Sequence, residues 1–227
     1  MRKRRLGPTR RRVRNASVKL NAIELPPRAP GLSRTLILLH GYGADEHDLL
    51  PIAHELDPRL RAVSLQGAVA LGGPMRAWFN LTQDARGRIS FDADEARAAV
   101  RAALGAIEGI AQESPKPLLL GFSQGAGIAV GAALLRPDLV SGVLSLSGVA
   151  RALEERDHAA AAAVRGLPVF VAHGRQDPLL PIELGRGLRD TLTALGADVS
   201  WHEYDMGHMV IPAEIEDARA WLRPRLA

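Results

Sequence analysis

The chain of 227 residues has no cysteine, which excludes disulfide bonds and any mechanism that attacks through a thiol. Aromatic residues are scarce at 4%, so an aromatic-lined groove of the kind that binds sugars is not indicated. No apolar stretch approaches the length of about 18 residues that spans a bilayer, and we expect no membrane span. With 47% hydrophobic residues and no break in composition, the chain is expected to bury one large core.

The first 14 residues contain no acidic residue but carry eight of the 29 Lys and Arg residues. Without these eight, 21 basic residues face 25 acidic ones, so the remainder has a net charge of about −4. We predict a basic, disordered extension at 1–17 and one folded domain at 18–227. The extension lacks the apolar core of a secretory signal, and we expect a cytoplasmic protein. Binding of nucleic acid through the extension is a less favoured hypothesis.

Short aliphatic runs alternate with helical patterns along the rest of the chain. The strand-like runs lie at 35–39, 118–120, 140–146 and 169–172, with an alternating pattern at 199–204, and the helical patterns lie at 124–135, 181–196, 213–222 and from Asp92 onward. This alternation predicts an α/β fold with a mostly parallel central sheet and helices on both faces. A charged helical insertion with an alanine run at 159–163 is also predicted, either packed on the surface or bordering the mouth of a cleft.

A nucleophile-elbow pattern follows the aliphatic run at 118–120. Its five residues are Gly121, Phe122, Ser123, Gln124 and Gly125. The pattern predicts a sharp strand-to-helix turn that exposes the serine hydroxyl at the carboxyl end of a parallel strand. The glycines would allow strand and helix to cross closely. Alone, the pattern fits a glycine-rich turn with a solvated serine equally well.

A serine nucleophile needs an imidazole base, and the imidazole needs a carboxylate that orients it. In this type of fold the chain order is Ser, then Asp or Glu, then His, each after a strand. Asp177 follows the run at 169–172, and His208 follows the run at 199–204. We therefore predict a triad of Ser123, Asp177 and His208.

Two alternatives lie close to these residues in the sequence. Asp205 is a rival acid, but it lies only three positions before His208, so its loop would have to fold back on itself. His173 is interpreted as a structural residue that packs the turn before Asp177. The other histidines are interpreted as solvated or strand residues: His47, His54, His158 and His202.

Acyl transfer also needs hydrogen-bond donors for the developing oxyanion. The backbone N–H of Gln124 is one predicted donor, because it follows the nucleophile and opens a helix. The backbone N–H of Tyr42 is the second, since Gly41 and Gly43 beside it let the loop turn its amides inward. An ordinary loop with Asp45 as a helix cap explains the same residues, and both interpretations can hold together.

In combination, these motifs resemble the acyl-protein thioesterase/carboxylesterase family of α/β-hydrolases. The resemblance runs from about residue 36 to 222 and rests on the segments 40–45, 78–79, 121–125, 173–177 and 204–208. It implies the α/β-hydrolase fold, a catalytic domain at 18–227, and cleavage of acyl esters or thioesters by the predicted triad and oxyanion donors. Asn80, Ala126 and the segment 66–73 depart from the family pattern.

An apolar wall for the acyl group is predicted from Leu71, Met75, Trp78, Phe79 and Met209, although such residues also fit a core. No metal or organic cofactor is expected, because the triad and two amides supply the chemistry. A small-molecule acyl ester or thioester is the expected partner, and a homodimer stays open.

Three functions remain in play. The favoured one is a serine carboxylesterase or thioesterase that acts on small-to-medium acyl groups through an acyl-enzyme. A serine peptidase or an acyltransferase on the same scaffold is the second. The third is a non-enzymatic polyanion binder acting through the basic extension.

Overall fold

A computed structural model describes residues 9–13, 20–31, 34–85, 89–114, 116–149 and 164–226. The insertion with the alanine run at 159–163 lies outside the described residues, as does most of the extension at 1–17.

The described residues form twelve strands, of which eight make one sheet. The strands are β1 (Thr9–Val13), β2 (Leu20–Leu25), β3 (Thr35–Leu39), β4 (Arg61–Leu65), β5 (Val69–Gly72), β6 (Met75–Ala77), β7 (Thr82–Gln83), β8 (Ile89–Ser90), β9 (Leu118–Phe122), β10 (Gly142–Leu146), β11 (Pro168–Gly174) and β12 (Asp198–Tyr204). The sheet order is β1-β2-β4-β3-β9-β10-β11-β12, and its neighbours run parallel from β4 to β12. β2 is antiparallel to β1 and β4, while β5–β6 and β7–β8 are separate two-stranded pairs.

The edge strand β1 departs from the expected disorder of the extension. Thr9–Val13 pairs antiparallel with β2, with Arg11 opposite Ala22. The free edge of β2 offers a row of backbone N–H and C=O groups, and pairing with them orders these five residues. The expectation of disorder is not met for Thr9–Val13, and the domain boundary at residue 18 stays a prediction.

Five α-helices accompany the sheet in the described ranges. They are α1 (Leu50–Leu56), α2 (Ala93–Glu113), α3 (Gln124–Leu135), α4 (Ile182–Ala194) and α5 (Pro212–Leu222). α2 begins where the sequence predicts, because the carboxylate of Asp92 accepts the N–H groups of Asp94 and Glu95. None of the helices in these ranges combines the length and apolar character that crossing a bilayer requires.

Strand β3 shows that the sheet is covered on both faces. Ile37 and Leu39 pack into the core shared with α2, α3 and α4, whereas Leu36 and Leu38 pack into the core shared with α1 and α5. Successive side chains of a strand point to opposite faces, so an unbroken apolar run needs cover on both sides. The predicted α/β-hydrolase architecture is confirmed.

The carboxyl ends of the parallel strands share one edge of the sheet. The chain leaves β3 toward β4 on one side, while β9 pairs with the other side of β3. The loops after β3 and β9 therefore diverge at a topological switch point, which is where open α/β sheets bind ligands.

Glu214, in the first turn of α5, is fully buried. Within the described residues, neither of its carboxyl oxygens has a hydrogen-bond partner. Burial raises the pKa of Glu214 to about 8 from an ordinary value of 4.5. The native state thus keeps this carboxyl largely protonated at neutral pH.

The free energy of unfolding should therefore fall as the pH rises from 4.5 to about 8. In this window the unfolded chain releases the Glu214 proton while the native state retains it. Glu214→Gln keeps the shape without titrating, so its Tm advantage over the parent should grow through this window and level off above it. Thermal unfolding at a series of pH values measures this.

The exposed Glu216 on the same helix provides the matched control. The Tm difference between Glu216→Gln and the parent should not follow this rise with pH. A pH-independent difference for Glu214→Gln would contradict the account of its burial.

Candidate active site

Ser123 occupies a strained turn between β9 and α3. Its φ of 53° and ψ of −119° are rarely adopted by residues other than glycine. A Cβ on Gly121 would clash with the carbonyl of Gly125, and a Cβ on Gly125 would clash with the carbonyl of Leu39. The two glycines therefore allow the backbones of β9, α3 and β3 to meet, and this crossing sets the turn.

Ser123, His208 and Asp177 form one hydrogen-bonded row. His208 Nε2 lies 2.8 Å from Ser123 Oγ, and His208 Nδ1 lies 2.6 Å from Asp177 Oδ2. The three residues come from the loops after β9, β12 and β11. The ring of Phe122 packs against the imidazole, with 4.9 Å between ring centroids. The structure thus brings the three predicted residues together.

Asp177 is held by its own turn. Its Oδ1 accepts the backbone N–H groups of Leu179 and Leu180, both at 2.9 Å, which leaves Oδ2 for His208. The rival acid Asp205 points outward instead, with a side chain 75% exposed and an ion pair of 2.9 Å to Arg175. Asp205 is therefore not part of the row.

The remaining histidines lie away from the row or behind it. His173 is fully buried in β11, as expected for a residue that packs the turn. His202 stacks on the ring of Phe170, with 4.5 Å between centroids. His47 is exposed, His54 is half-buried, and His158 lies outside the described residues.

A second Ser–His–Asp row lies on β12 and α5. Ser200 Oγ is 2.9 Å from His202 Nε2, and His202 Nδ1 is 3.5 Å from Asp217 Oδ2. The carboxylate contact is longer than an ordinary hydrogen bond, and Ser200 is not on a strand-to-helix elbow. This row has the same residue types as the first, but it lacks the strained turn that exposes Ser123 and the short contact to the carboxylate.

The backbone N–H groups of Tyr42 and Gln124 have no partner within the described part of the chain. The neighbouring amides are used: Gly43 N–H donates to Arg76 O, and Ser123 N–H donates to Leu146 O. Gln124 N–H also lies at the start of α3, where the helix dipole is positive. Both residues line the same cavity as Ser123, so these amides can serve an oxyanion there.

His40 anchors the loop that carries Tyr42, a role that the sequence did not indicate. Its Nδ1 lies 2.8 Å from Gly41 O, so the proton is on Nδ1, and its Nε2 accepts the Gly67 N–H at 3.0 Å. Burial lowers the pKa of His40. The indole N–H of Trp78 donates to His40 O at 2.9 Å and fixes the loop from the other side.

The side chain of Gln124 binds the segment that borders the cavity. Its Oε1 accepts the Trp78 backbone N–H at 2.8 Å, and its Nε2 donates to Phe79 O at 2.9 Å. The side chain of Gln124 thus holds the cavity wall, while its backbone N–H lies at the start of α3 beside Ser123.

A cavity of about 440 Å³ opens beside Ser123 and His208. Its apolar lining comes from the β7–β8 pair and its flanks, from α2 and α3, and from two loops: Phe79, Leu81, Ile89, Phe91, Ala96, Val100, Ile128, Val149, Leu179 and Leu180. Its volume lies within the usual range for small-molecule sites. An acyl chain bound at Ser123 could extend along this surface.

Of the five residues predicted for the wall, only Phe79 is among the described residues that line this cavity. Trp78 is buried in the core beneath it, and Met75 borders a separate surface cavity with Asp45. Leu71 lies on β5, and Met209 is 54% exposed beside His208. The sequence did not indicate the lining of this cavity, because the residues that α2 contributes, such as Val100, have the same spacing as core residues.

Asp45, Glu46 and His47 bring potential metal ligands within 4.8 Å of one another, a cluster that the sequence did not predict. Each carboxylate already has a protein partner. Asp45 accepts the His47 N–H at 2.8 Å, and Glu46 accepts Gln66 Nε2 at 2.7 Å. Asp45 does not cap α1, whose N-cap is Leu49. These contacts explain why the three side chains lie together in one turn. The turn is separate from the row of Ser123, His208 and Asp177.

Comparisons with known proteins show the family to which the chain is similar. A model of the Phospholipase/Carboxylesterase family matches residues 23–225. MhqD of Bacillus subtilis, named as a hydrolase, is 30% identical over 194 residues, which cover 83% of this chain and 92% of that protein. Acyl-protein thioesterase 1 of Gibberella zeae is 27% identical over 225 residues, which cover 88% of this chain and 94% of that protein.

Solved structures show the same fold. Esterase PE8 has a TM-score of 0.79 at 26% identity and covers 91% of this chain and 99% of its own. The Bacillus cereus carboxylesterase has a TM-score of 0.76 at 23% identity and covers 90% of this chain and 94% of its own. The family match spans the elbow and both loops that complete the row.

Proposed function

The chain belongs to the phospholipase/carboxylesterase family of α/β-hydrolases, and from this membership we propose a serine hydrolase that cleaves carboxylic esters or thioesters of small-to-medium acyl groups. The observation that supports this most is the row of Ser123, His208 and Asp177, which lies beside the backbone amides of Tyr42 and Gln124 and an apolar cavity.

In the first half-reaction, Ser123 Oγ attacks the acyl carbonyl while its proton passes to His208 Nε2. Asp177 accepts the Nδ1–H of His208, which holds the required tautomer and stabilises the imidazolium. The carbonyl oxygen becomes an oxyanion and accepts the N–H groups of Tyr42 and Gln124. His208 then protonates the departing alcohol or thiol, which leaves an acyl ester on Ser123.

Water completes the reaction. His208 takes a proton from the water as the water oxygen attacks the acyl ester. The same two amides stabilise the second oxyanion. Collapse of this intermediate breaks the ester bond, returns the proton to Ser123 and releases the carboxylic acid. Every step uses side chains and amides of this chain.

The cavity indicates which part of the substrate is bound most closely. Its apolar lining suits the acyl chain, since burying such a chain removes apolar surface from water. A peptidase or acyltransferase function remains the alternative on this scaffold. A cytoplasmic location stays a prediction. The same holds for a homodimer and for the expectation that nucleic acid is not the main partner.

Ser123→Ala should lower kcat/KM on a short p-nitrophenyl ester by about 10⁴-fold or more, because the nucleophile is lost. Release of p-nitrophenolate measures this, and a panel of ester, thioester and amide substrates of several acyl lengths defines the reaction class. Ser200→Ala is the matched control, because it removes the serine of the second row and should leave the rate unchanged. Residual activity within tenfold of the parent, in protein free of contaminating esterase, would sink the assignment of Ser123.

Asp177→Asn should lower kcat by roughly 10³- to 10⁴-fold, because the wrong imidazole tautomer would face Ser123. Asp205→Asn should have little effect, since Asp205 pairs with Arg175 at the surface. Steady-state kinetics on one ester, with Tm values to verify folding, compares the two. If Asp205→Asn were the more damaging change, the acid would have to be reassigned.

Val100→Phe should shorten the acyl chains that the enzyme accepts, because Val100 lines the cavity from α2. A methylene in an apolar pocket is worth about 10- to 200-fold in discrimination, so kcat/KM for an octanoyl ester should fall at least tenfold relative to an acetyl ester. Leu104→Phe, one turn further along α2 and outside the described cavity lining, should leave this ratio unchanged. An unchanged ratio in Val100→Phe would place the acyl chain elsewhere.

A further inference from the structure

A second histidine lies against Asp177. His173, in β11, is fully buried. Its Nε2 is 3.6 Å from Asp177 Oδ2 and 2.8 Å from the carbonyl oxygen of Leu180. The mechanism above does not use this residue.

The short contact fixes the tautomer of His173. A carbonyl oxygen can only accept a hydrogen bond, so Nε2 must carry the proton that Leu180 O receives. Nδ1 is buried and has no partner within the described residues. The ring therefore directs one N–H toward the turn that contains Asp177.

This N–H supports the carboxylate through Leu180. The same residue that accepts the His173 N–H with its carbonyl donates its own N–H to Asp177 Oδ1 at 2.9 Å. With Oδ1 held there, Oδ2 faces His208 Nδ1 at 2.6 Å. The contact of 3.6 Å between His173 and Oδ2 is too long for a hydrogen bond, so His173 acts through the turn.

Helix α4 keeps the ring in this position. A Cβ added to Gly185 would lie 2.5 Å from His173 Nδ1 and 2.7 Å from its Cγ. The ring thus packs directly against the backbone of α4, and position 185 must lack a side chain. Gly187, on the same helix, has nothing within 4 Å of such an atom. Alanine at position 185 would therefore displace the His173 ring, whereas alanine at position 187 would change only the helix. Comparing the two substitutions distinguishes these effects.

We propose that His173 is a positioning residue of the triad: its Nε2–H fixes the Leu180 carbonyl, and the turn then aims the Asp177 carboxylate at His208. The inference rests on the proposed function for its effect on rate. The hydrogen bond between Asp177 and His208 exists whether or not the chain cleaves esters, so the effect of His173 on this bond can be tested without an activity assay.

A merely structural role would have a different signature. Leu179 and Leu180 line the cavity, so a general loosening of their turn would weaken substrate binding and raise KM. If the Asp177 carboxylate were no longer oriented toward His208, kcat would fall and KM would stay nearly unchanged, because the orientation of the imidazole matters in the transition state. The kcat and KM values of each variant therefore distinguish the two roles.

The test compares His173→Leu, His173→Gln, Gly185→Ala and Gly187→Ala with the parent in the full chain. On a short p-nitrophenyl ester, His173→Leu and Gly185→Ala should lose about 10- to 100-fold in kcat with little change in KM. His173→Gln, whose amide N–H can still reach the Leu180 carbonyl, should recover most of the rate. Gly187→Ala should match the parent.

The second readout is the low-field proton NMR signal of the His208 Nδ1–H that is bound to Asp177, assigned by its loss in His208→Gln. The signal should persist in Gly187→Ala and His173→Gln and should vanish or move upfield in His173→Leu and Gly185→Ala. If His173→Leu does not fold, the two glycine variants decide. If the parent cleaves no ester, the proposed function fails while this signal still tests the positioning role. An unchanged signal and kcat in Gly185→Ala or His173→Leu would overturn the proposal, as would a change confined to KM.

Discussion

The close crossing of β9, α3 and β3 is the constraint on which the site depends. Gly121 and Gly125 let three backbones meet where any side chain would clash, and the turn between them holds Ser123 at a positive φ. Strain of this kind persists only where the surrounding structure imposes it. The parallel sheet supplies that support, because β9 is hydrogen-bonded between β3 and β10. The same crossing sets the position of the Gln124 amide.

Buried polar groups around the site extend this rigidity outward. His40 fixes the loop that carries the Tyr42 amide, and the side chain of Gln124 holds the backbone of Trp78 and Phe79. His173 binds the turn below Asp177. Each contact gives a backbone N–H or C=O group near the site a hydrogen-bond partner, and leaving such a group buried and unpaired is costly. The result is a site whose donors and acceptors are arranged before substrate arrives.

Much of this arrangement could be predicted from the sequence. The elbow, the order Ser, Asp, His and the alternation of strands and helices follow from local patterns, and the structure brings Ser123, Asp177 and His208 together. The cavity lining could not be predicted, because Val100 and Ile128 have the spacing of core residues. The edge strand β1 was missed because Thr9–Val13 contains three consecutive arginines and shows no apolar alternation, so only its pairing with β2 reveals it.

Covalent trapping of Ser123 tests the central claim most directly. A fluorophosphonate should add once to the full chain, and peptide mapping by mass spectrometry should place the adduct on Ser123. The adduct should form far more slowly in His208→Gln, because His208 Nε2 lies 2.8 Å from Ser123 Oγ and is the proposed acceptor of its proton. An adduct on another residue, or none in protein that still cleaves esters, would contradict the assignment of Ser123 as the nucleophile.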